Sequence, residues 1–179
     1  MSQASGTDAD AGWLSIARRI PSPNFDERPA DTAICLVVVH AISLPPGEFG
    51  GQGIVDLFTN AIDPQAHPYY QEIAGLRVSA HFLIRRDGDL IQFVSTAQRA
   101  WHAGISQWAG RERCNDFSIG IELEGWDEMP FENAQYRMLN FLLAELWPRY
   151  PLQAVVGHSE IAPGRKTDPG PSFDWSKVT

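Results

Sequence analysis

Apolar and polar residues fall into blocks along this chain, and the blocks differ in period. Ile34-Cys-Leu-Val-Val-Val39 is a short, continuous, β-branched run ending on His40, the pattern of a strand buried on both faces. Val78 to Arg86 and Leu90 to Val94 read as two more strands around Arg86-Asp87-Gly88-Asp89, and Asp-Gly between such runs predicts a hairpin. Ile119-Gly-Ile-Glu-Leu123 has a period of two, so Ile119, Ile121 and Leu123 share one face of a strand while Glu122 and Glu124 share the other. A short helix is predicted over 54–61. A longer one starts at Asn133, a good N-cap, with Tyr136, Leu139, Leu143 and Leu146 at helical spacing until Pro148 ends it. That stripe reads as a face packed on a sheet. Ala154 to Gly157 predicts a last short strand that delivers His158.

The segments between these blocks are broken by proline and glycine. Residues 1–12 are small, polar and acidic, and read as a flexible tail. Pro21 to Pro29 should run as an extended lead-in, and Asp63 to Tyr70 as irregular chain. Pro45-Pro46-Gly47 and Gly50-Gly51 punctuate a loop at the C-terminal end of the first strand. Strands and helices interleave irregularly, which predicts an α/β fold: a central mixed β-sheet flanked by helices, in one domain over 13–179.

Composition narrows the class. The 179 residues are 44% hydrophobic and 20% charged, ordinary for a soluble globular domain with a core of its own. Fourteen basic against 22 acidic residues give a net charge of -8, which argues against nucleic acid or an anionic membrane as partner. No basic stretch followed by an apolar one opens the chain, and no segment has the length of a membrane span, so a cytosolic protein is expected. Cys35 and Cys114 form no framework of paired spacings and are expected to be free thiols.

The chemistry concentrates near the C-terminus. Gly157-His158-Ser-Glu-Ile-Ala-Pro-Gly-Arg-Lys166-Thr-Asp168-Pro-Gly170 places an imidazole, an ammonium and a carboxylate in one short loop. His40 and His158 both follow strands, and open α/β sheets gather their sites at strand C-termini. Two imidazoles and one carboxylate suit zinc and leave a fourth position for water, which suggests a hydrolase. Taken singly, each residue has a blander reading: a lone histidine is usually structural, and a loop lysine or aspartate is usually solvated. Glu122 and Glu124 read first as a solvated strand face; the alternative is Glu122 as general base beside a metal site. Lys166 could face charge developing on a carbonyl oxygen. Among the other histidines, His67 reads as a loop residue and His81 as a satisfied buried imidazole. His102, beside Trp101, reads as a packing residue or a substrate contact.

Six stretches together carry a resemblance: Val37-Val-Val-His40, Ile42-Ser-Leu-Pro-Pro-Gly47, Val78-Ser-Ala-His81, Arg99-Ala-Trp-His-Ala-Gly104, Cys114-Asn-Asp-Phe-Ser-Ile-Gly-Ile-Glu-Leu-Glu-Gly125 and Arg165-Lys-Thr-Asp-Pro-Gly170. Over about residues 13 to 175 the chain resembles the type 2 N-acetylmuramoyl-L-alanine amidase family, and within it the cytosolic enzymes that recycle anhydro-muropeptides. The resemblance implies the type 2 amidase, or peptidoglycan-recognition-like, fold. It implies a Zn2+ cofactor held by His40, His158 and Asp168, with Glu122 as catalytic base and Lys166 as transition-state stabiliser. It further implies that Arg77 and Arg113 bind stem-peptide carboxylates, that Trp101 lines the sugar subsite and that Tyr69 sits beside the metal. The expected partner is an anhydro-muropeptide substrate, met by a monomer. One departure stands out: the family usually carries Asn directly after the first zinc histidine, where this chain has Ala41. That change removes an amide able to hydrogen-bond substrate, but no metal ligand and no acid–base group.

Two other readings compete with this one. A binding module of the same family would hold muropeptides without cleaving them, but such modules lack a metal ligand, whereas His40, His158, Asp168, Glu122 and Lys166 are all present here. A zinc peptidase would be expected to show a His-Glu-x-x-His helix, which the sequence lacks. Within the amidase reading, a secreted or phage lytic enzyme acting on intact wall is the alternative to a recycling one.

Overall fold

The structure, a computed structural model, describes residues 11–179. Residues 1–10 of the expected tail therefore lie outside the described residues. Ala11 and Gly12 are already tied down: the Ala11 carbonyl accepts from Ser95 Oγ, and the Gly12 carbonyl accepts from Thr96 N and from the Gln92 side-chain amide.

A six-stranded mixed sheet forms the centre, with order β1-β5-β4-β9-β3-β10. Its strands are β1 (Arg18–Arg19), β3 (Leu36–Ile42), β4 (Phe82–Ile84), β5 (Leu90–Gln92), β9 (Ser118–Glu124) and β10 (Ala154–Gly157). Only β4 and β5 run antiparallel; every other neighbouring pair is parallel. Two small ribbons lie outside it, β2 (Phe25–Asp26) with β6 (Arg99–Ala100), and β7 (Gln107–Trp108) with β8 (Arg111–Glu112).

The alternation read from the sequence decides what lies on each face. Val37 and Val39 of β3 and Ile119, Ile121 and Leu123 of β9 pack with Leu139, Leu142, Leu143 and Leu146 of α3 (Asn133–Leu146). The opposite face carries Leu36, Val38 and His40 of β3, and Ser118, Gly120, Glu122 and Glu124 of β9. Helices α1 (Gly53–Phe58) and α2 (Pro68–Ile73) pack on Leu83 and Ile91 at one side of this face. Phe117, Val156 and Ile161 fill the other side, Ile161 coming from α4 (His158–Ile161). All seven residues of β9 are buried, so the Glu122 and Glu124 face is not the solvated one that two acidic residues first suggest. Elements from the loops cover it.

Element ends differ from the sequence reading for local reasons. The hairpin strands are shorter than the apolar runs, covering Phe82–Ile84 and Leu90–Gln92. The first helix ends at Phe58 because Asn60 takes a left-handed conformation (φ 61°) and the Ala61 amide bonds back to the Asp56 carbonyl. The stretch 63–70 is not wholly irregular: Pro68 starts α2, where its missing N–H is no loss, and the His67 ring caps the helix by accepting from Tyr69 N at 3.1 Å. The proline-rich lead-in sends Arg28 inward, where its guanidinium donates to the carbonyls of Thr96, Asn115, Asp116 and Ser118. No helix among the described residues is long and apolar enough to cross a membrane.

Candidate active site

Parallel register assembles the site at the C-terminal ends of β3, β9 and β10. His40 pairs with Glu122 across β3 and β9, and Val39 pairs with Gly157 across β3 and β10. His158, one residue beyond Gly157, therefore lies level with His40. The chain then returns through a loop whose Asp168 carbonyl accepts from Ser159 N at 2.9 Å. Arg165 anchors that loop by donating to the carbonyls of Ala103 (2.7 Å) and Ile105 (2.6 Å), and Thr167 hydrogen-bonds the Asp127 carboxylate. Lys166 and Asp168 are thus fixed from both sides.

His40 Nδ1, His158 Nδ1 and an Asp168 carboxylate oxygen form a triangle. The nitrogens are 3.0 Å apart, and the oxygen is 3.2 Å from His40 and 3.1 Å from His158. His158 Nε2 stands 3.1 Å from the Ala103 carbonyl, an obligatory acceptor, so in the neutral ring the proton sits on Nε2 and Nδ1 presents its lone pair. His40 is 1% exposed, and burial lowers its pKa to about 4, the Asp168 contact opposing this; it is a neutral imidazole at pH 7. Lone pairs and a carboxylate converging this closely repel one another unless a cation lies among them. A tetrahedral zinc ion with bonds of about 2.0–2.1 Å requires ligand atoms about 3.3–3.4 Å apart, within a few tenths of an ångström of the spacing here. The donor set is one that a zinc ion fits, and His40, His158 and Asp168 could supply three of its ligands.

Glu122 lies beside this triangle, 8% exposed, with Oε2 buried and without a hydrogen-bond partner among the described residues. Burial raises its pKa well above the ordinary carboxyl value, the Asp168 charge adds to the rise, and Lys166 opposes it. Glu124, two residues on, has a different role: it accepts from Arg85 (3.2 Å) and from Gly50 N (2.7 Å), tying the 45–52 loop to the sheet. One carboxylate of the acidic face is structural; the other keeps a buried oxygen that has no partner among the described residues.

A cavity of about 420 Å³ opens over these groups, lined by His40, Glu122, His158, Lys166 and Asp168 and walled by Tyr69, Trp101, Leu76 and Val78. Ala41 and Ser43 form part of its rim. Arg77 does not line it: its guanidinium donates to the Ala74 and Leu76 carbonyls just past α2. Arg113 lies farther off, exposed, paired with Asp116 at 3.3 Å and lining a separate cavity with Gly104 and Arg165. The sequence reading left His102 between packing and substrate contact. The structure places its Nδ1 2.9 Å from His40 Nε2, a contact that no residue spacing signals.

A family profile described as N-acetylmuramoyl-L-alanine amidase matches residues 30–171. The 1,6-anhydro-N-acetylmuramyl-L-alanine amidase AmpD of Citrobacter freundii is 61% identical over 170 residues, spanning 94% of this chain and 91% of that protein. The crystal structure of a selenomethionine AmpD derivative superposes with a TM-score of 0.92 at 60% identity, covering 94% of this chain and 96% of that one. The N-acetylmuramyl-L-alanine amidase AmiD from E. coli, in complex with the substrate anhydro-N-acetylmuramic acid-L-Ala-D-gamma-Glu-L-Lys, matches with a TM-score of 0.62 at 32% identity. That match covers 87% of this chain and 64% of AmiD.

Proposed function

The chain belongs to the N-acetylmuramoyl-L-alanine amidase family, and from that premise we propose that it is a zinc-dependent enzyme of muropeptide recycling. It hydrolyses the amide between the lactyl group of 1,6-anhydro-N-acetylmuramic acid and the L-alanine of the stem peptide. The observation that carries the zinc assignment is the triangle of His40 Nδ1, His158 Nδ1 and Asp168 Oδ2 beside the unpartnered Glu122 Oε2. His40, His158 and Asp168 would hold the ion; when bound, it supplies Lewis acidity that lowers the pKa of water and polarises a carbonyl.

The chain's own residues do the rest. Glu122 Oε2, with its raised proton affinity, takes a proton from the attacking water as the water oxygen bonds to the amide carbon. The Lys166 ammonium at the cavity wall faces the oxyanion that forms from the carbonyl. Glu122 then passes its proton to the departing nitrogen, the C–N bond breaks, and L-alanine leaves as an amine. Trp101, in the cavity wall, would line the sugar subsite, and Tyr69, in the same wall, would sit beside the metal. Arg77 and Arg113 lie outside the cavity and would bind stem-peptide carboxylates only where the peptide extends beyond it.

Incubation with a defined anhydro-muropeptide, followed by mass spectrometry, tests this. Free stem peptide and the anhydro sugar acid are expected, lost on exhaustive chelation and restored by zinc alone. Full turnover in the chelated protein would overturn the zinc assignment, and intact substrate in the zinc-loaded protein would overturn the activity.

A further inference from the structure

We propose that His102 is a positioning residue: it holds His40 in the one tautomer whose Nδ1 lone pair faces the metal site. The inference rests on the zinc reading above and extends it to residues outside the ligand set.

The direction of every proton in the chain behind His40 follows from its far end. Ser118 Oγ lies 2.6 Å from the Cys114 carbonyl oxygen. Two oxygens that close need a proton between them, and a carbonyl has none, so the serine hydroxyl donates there. Its single proton is then committed. His102 Nε2, 3.1 Å from Ser118 Oγ, must therefore be the donor to it. A neutral imidazole protonated on Nε2 is bare on Nδ1, and His102 Nδ1 stands 2.9 Å from His40 Nε2. His40 accordingly carries its proton on Nε2 and donates it to His102. What remains on His40 Nδ1 is the lone pair, 3.0 Å from its counterpart on His158. His102 would exclude the competing tautomer, with the proton on Nδ1 pointing at Asp168, by presenting a lone pair to His40 Nε2.

The surroundings fix the ring in place. The backbone amides of His102 and Ala103 both donate to the Asn115 side-chain oxygen, at 3.2 and 2.8 Å. Gly120, on the site face of β9, leaves the room the ring needs: a Cβ there would fall 2.4 Å from His102 Cγ and 2.6 Å from Nδ1. His40 and His102 meet edge to face, with an interplanar angle of 87°.

The test reads metal affinity and ring tautomer instead of turnover. In metal-free protein labelled with ¹⁵N in histidine, long-range ¹H–¹⁵N correlation should show His40 protonated on Nε2; protonation on Nδ1 would overturn the proposal. Competition with a chelating dye should show His102→Leu binding zinc about 10–100-fold more weakly than wild type, the usual effect of losing such a partner. His102→Asn, whose carboxamide oxygen can still accept from His40, should recover most of that loss. Ser118→Ala, the milder change should His102→Leu not fold, should weaken zinc by about two- to tenfold, the worth of one hydrogen bond. Folded His102→Leu binding zinc as tightly as wild type, no recovery in His102→Asn, or an unaltered Ser118→Ala if the leucine variant fails to fold, would each overturn it. Wild-type protein that bound no zinc would instead overturn the zinc reading, and the tautomer measurement would still decide the role of His102.

Discussion

Replacing Glu122 with glutamine should lower activity and raise stability at neutral pH, a combination that neither a solvated strand residue nor a simple packing residue would give. General acid–base catalysis contributes about 10²–10⁴ in rate, equivalent to about 2.7–5.4 kcal/mol of barrier. Turnover per bound zinc should therefore fall at least about a hundredfold, with zinc stoichiometry unchanged because Glu122 is not in the ligand triangle. The stability effect follows from burial. Glu122 is 8% exposed with an unpartnered oxygen, and its folded pKa is raised, first by burial and then by Asp168. Well below pH 4 the carboxyl is neutral in both folded and unfolded protein and wild type carries no penalty; at pH 4 the penalty is still only a few tenths of a kcal/mol, because the unfolded group is mostly protonated. As pH rises past the unfolded value of about 4.3, the unfolded chain ionises first and the folded state loses ground until its own pKa is passed. Glutamine does not titrate. Any packing or hydrogen-bonding cost of its amide is the same at every pH, so the gain from pH 4 to pH 8 isolates the carboxylate. Urea melts of metal-free wild type and Glu122→Gln at those two pH values, with turnover followed by mass spectrometry, measure both effects. Near wild-type turnover would place the base elsewhere, and a stability difference unchanged between pH 4 and pH 8 would refute the burial argument.

Lys166→Ala should keep bound zinc but lose about a hundredfold or more in turnover, as removal of an oxyanion-stabilising group does; a loss of metal instead would make Lys166 a structural residue of the loop. Leu139→Ala empties part of the core between α3 and the sheet, where Leu139 is fully buried, and should destabilise by about 2.7–5 kcal/mol in urea melts. His81 is fully buried, and burial followed by the Arg28 charge lowers its pKa to about 3. Its contribution to stability is complete above the unfolded value of about 6.5 and is lost at about 1.4 kcal/mol per pH unit as pH falls toward 3. His81→Gln should remove that slope between pH 6 and pH 4, and an identical pH profile for the two proteins would refute it.

The elements most legible in the sequence were those whose pattern reports burial directly. Continuous apolar character over Ile34 to His40 marked an interior strand, although the strand itself runs from Leu36 to Ile42, and a period of two assigned Ile119, Ile121 and Leu123 to the face that α3 covers. The same alternation put Glu122 and Glu124 together, but their solvation was not legible, because the cover over that face comes from segments distant in the chain. Arg85 and the Gly50 amide neutralise Glu124 from 39 and 74 positions away. Helix α2 was hidden for a different reason: Pro68 reads as a breaker in a polar stretch, and only the side chain of His67 in the capping position turns it into a start. Arg28 looks solvated in a proline-rich lead-in, yet four backbone carbonyls at 3.3 Å or less draw it inside. Spacing could suggest that His40, His158 and Asp168 belong together, whereas the partner behind His40 depends on a ring packed over Gly120, which is a fact of three dimensions.

The site owes its accuracy to the sheet more than to its loops. Three of the groups invoked here lie on or directly after parallel strands whose register is fixed over several residue pairs: His40 on β3, Glu122 on β9, and His158 following β10. Side chains alternate along a strand, so a slip of one residue between β3 and β9 would leave Glu122 beside Val39 or Ala41 and carry Ile119, Ile121 and Leu123 out of line with the leucines of α3. The apolar face thus opposes any error that would dismantle the polar one. Core packing against α3 and ligand placement on the far side are set by the same register, and a substitution that weakens the first should loosen the second before the fold is lost.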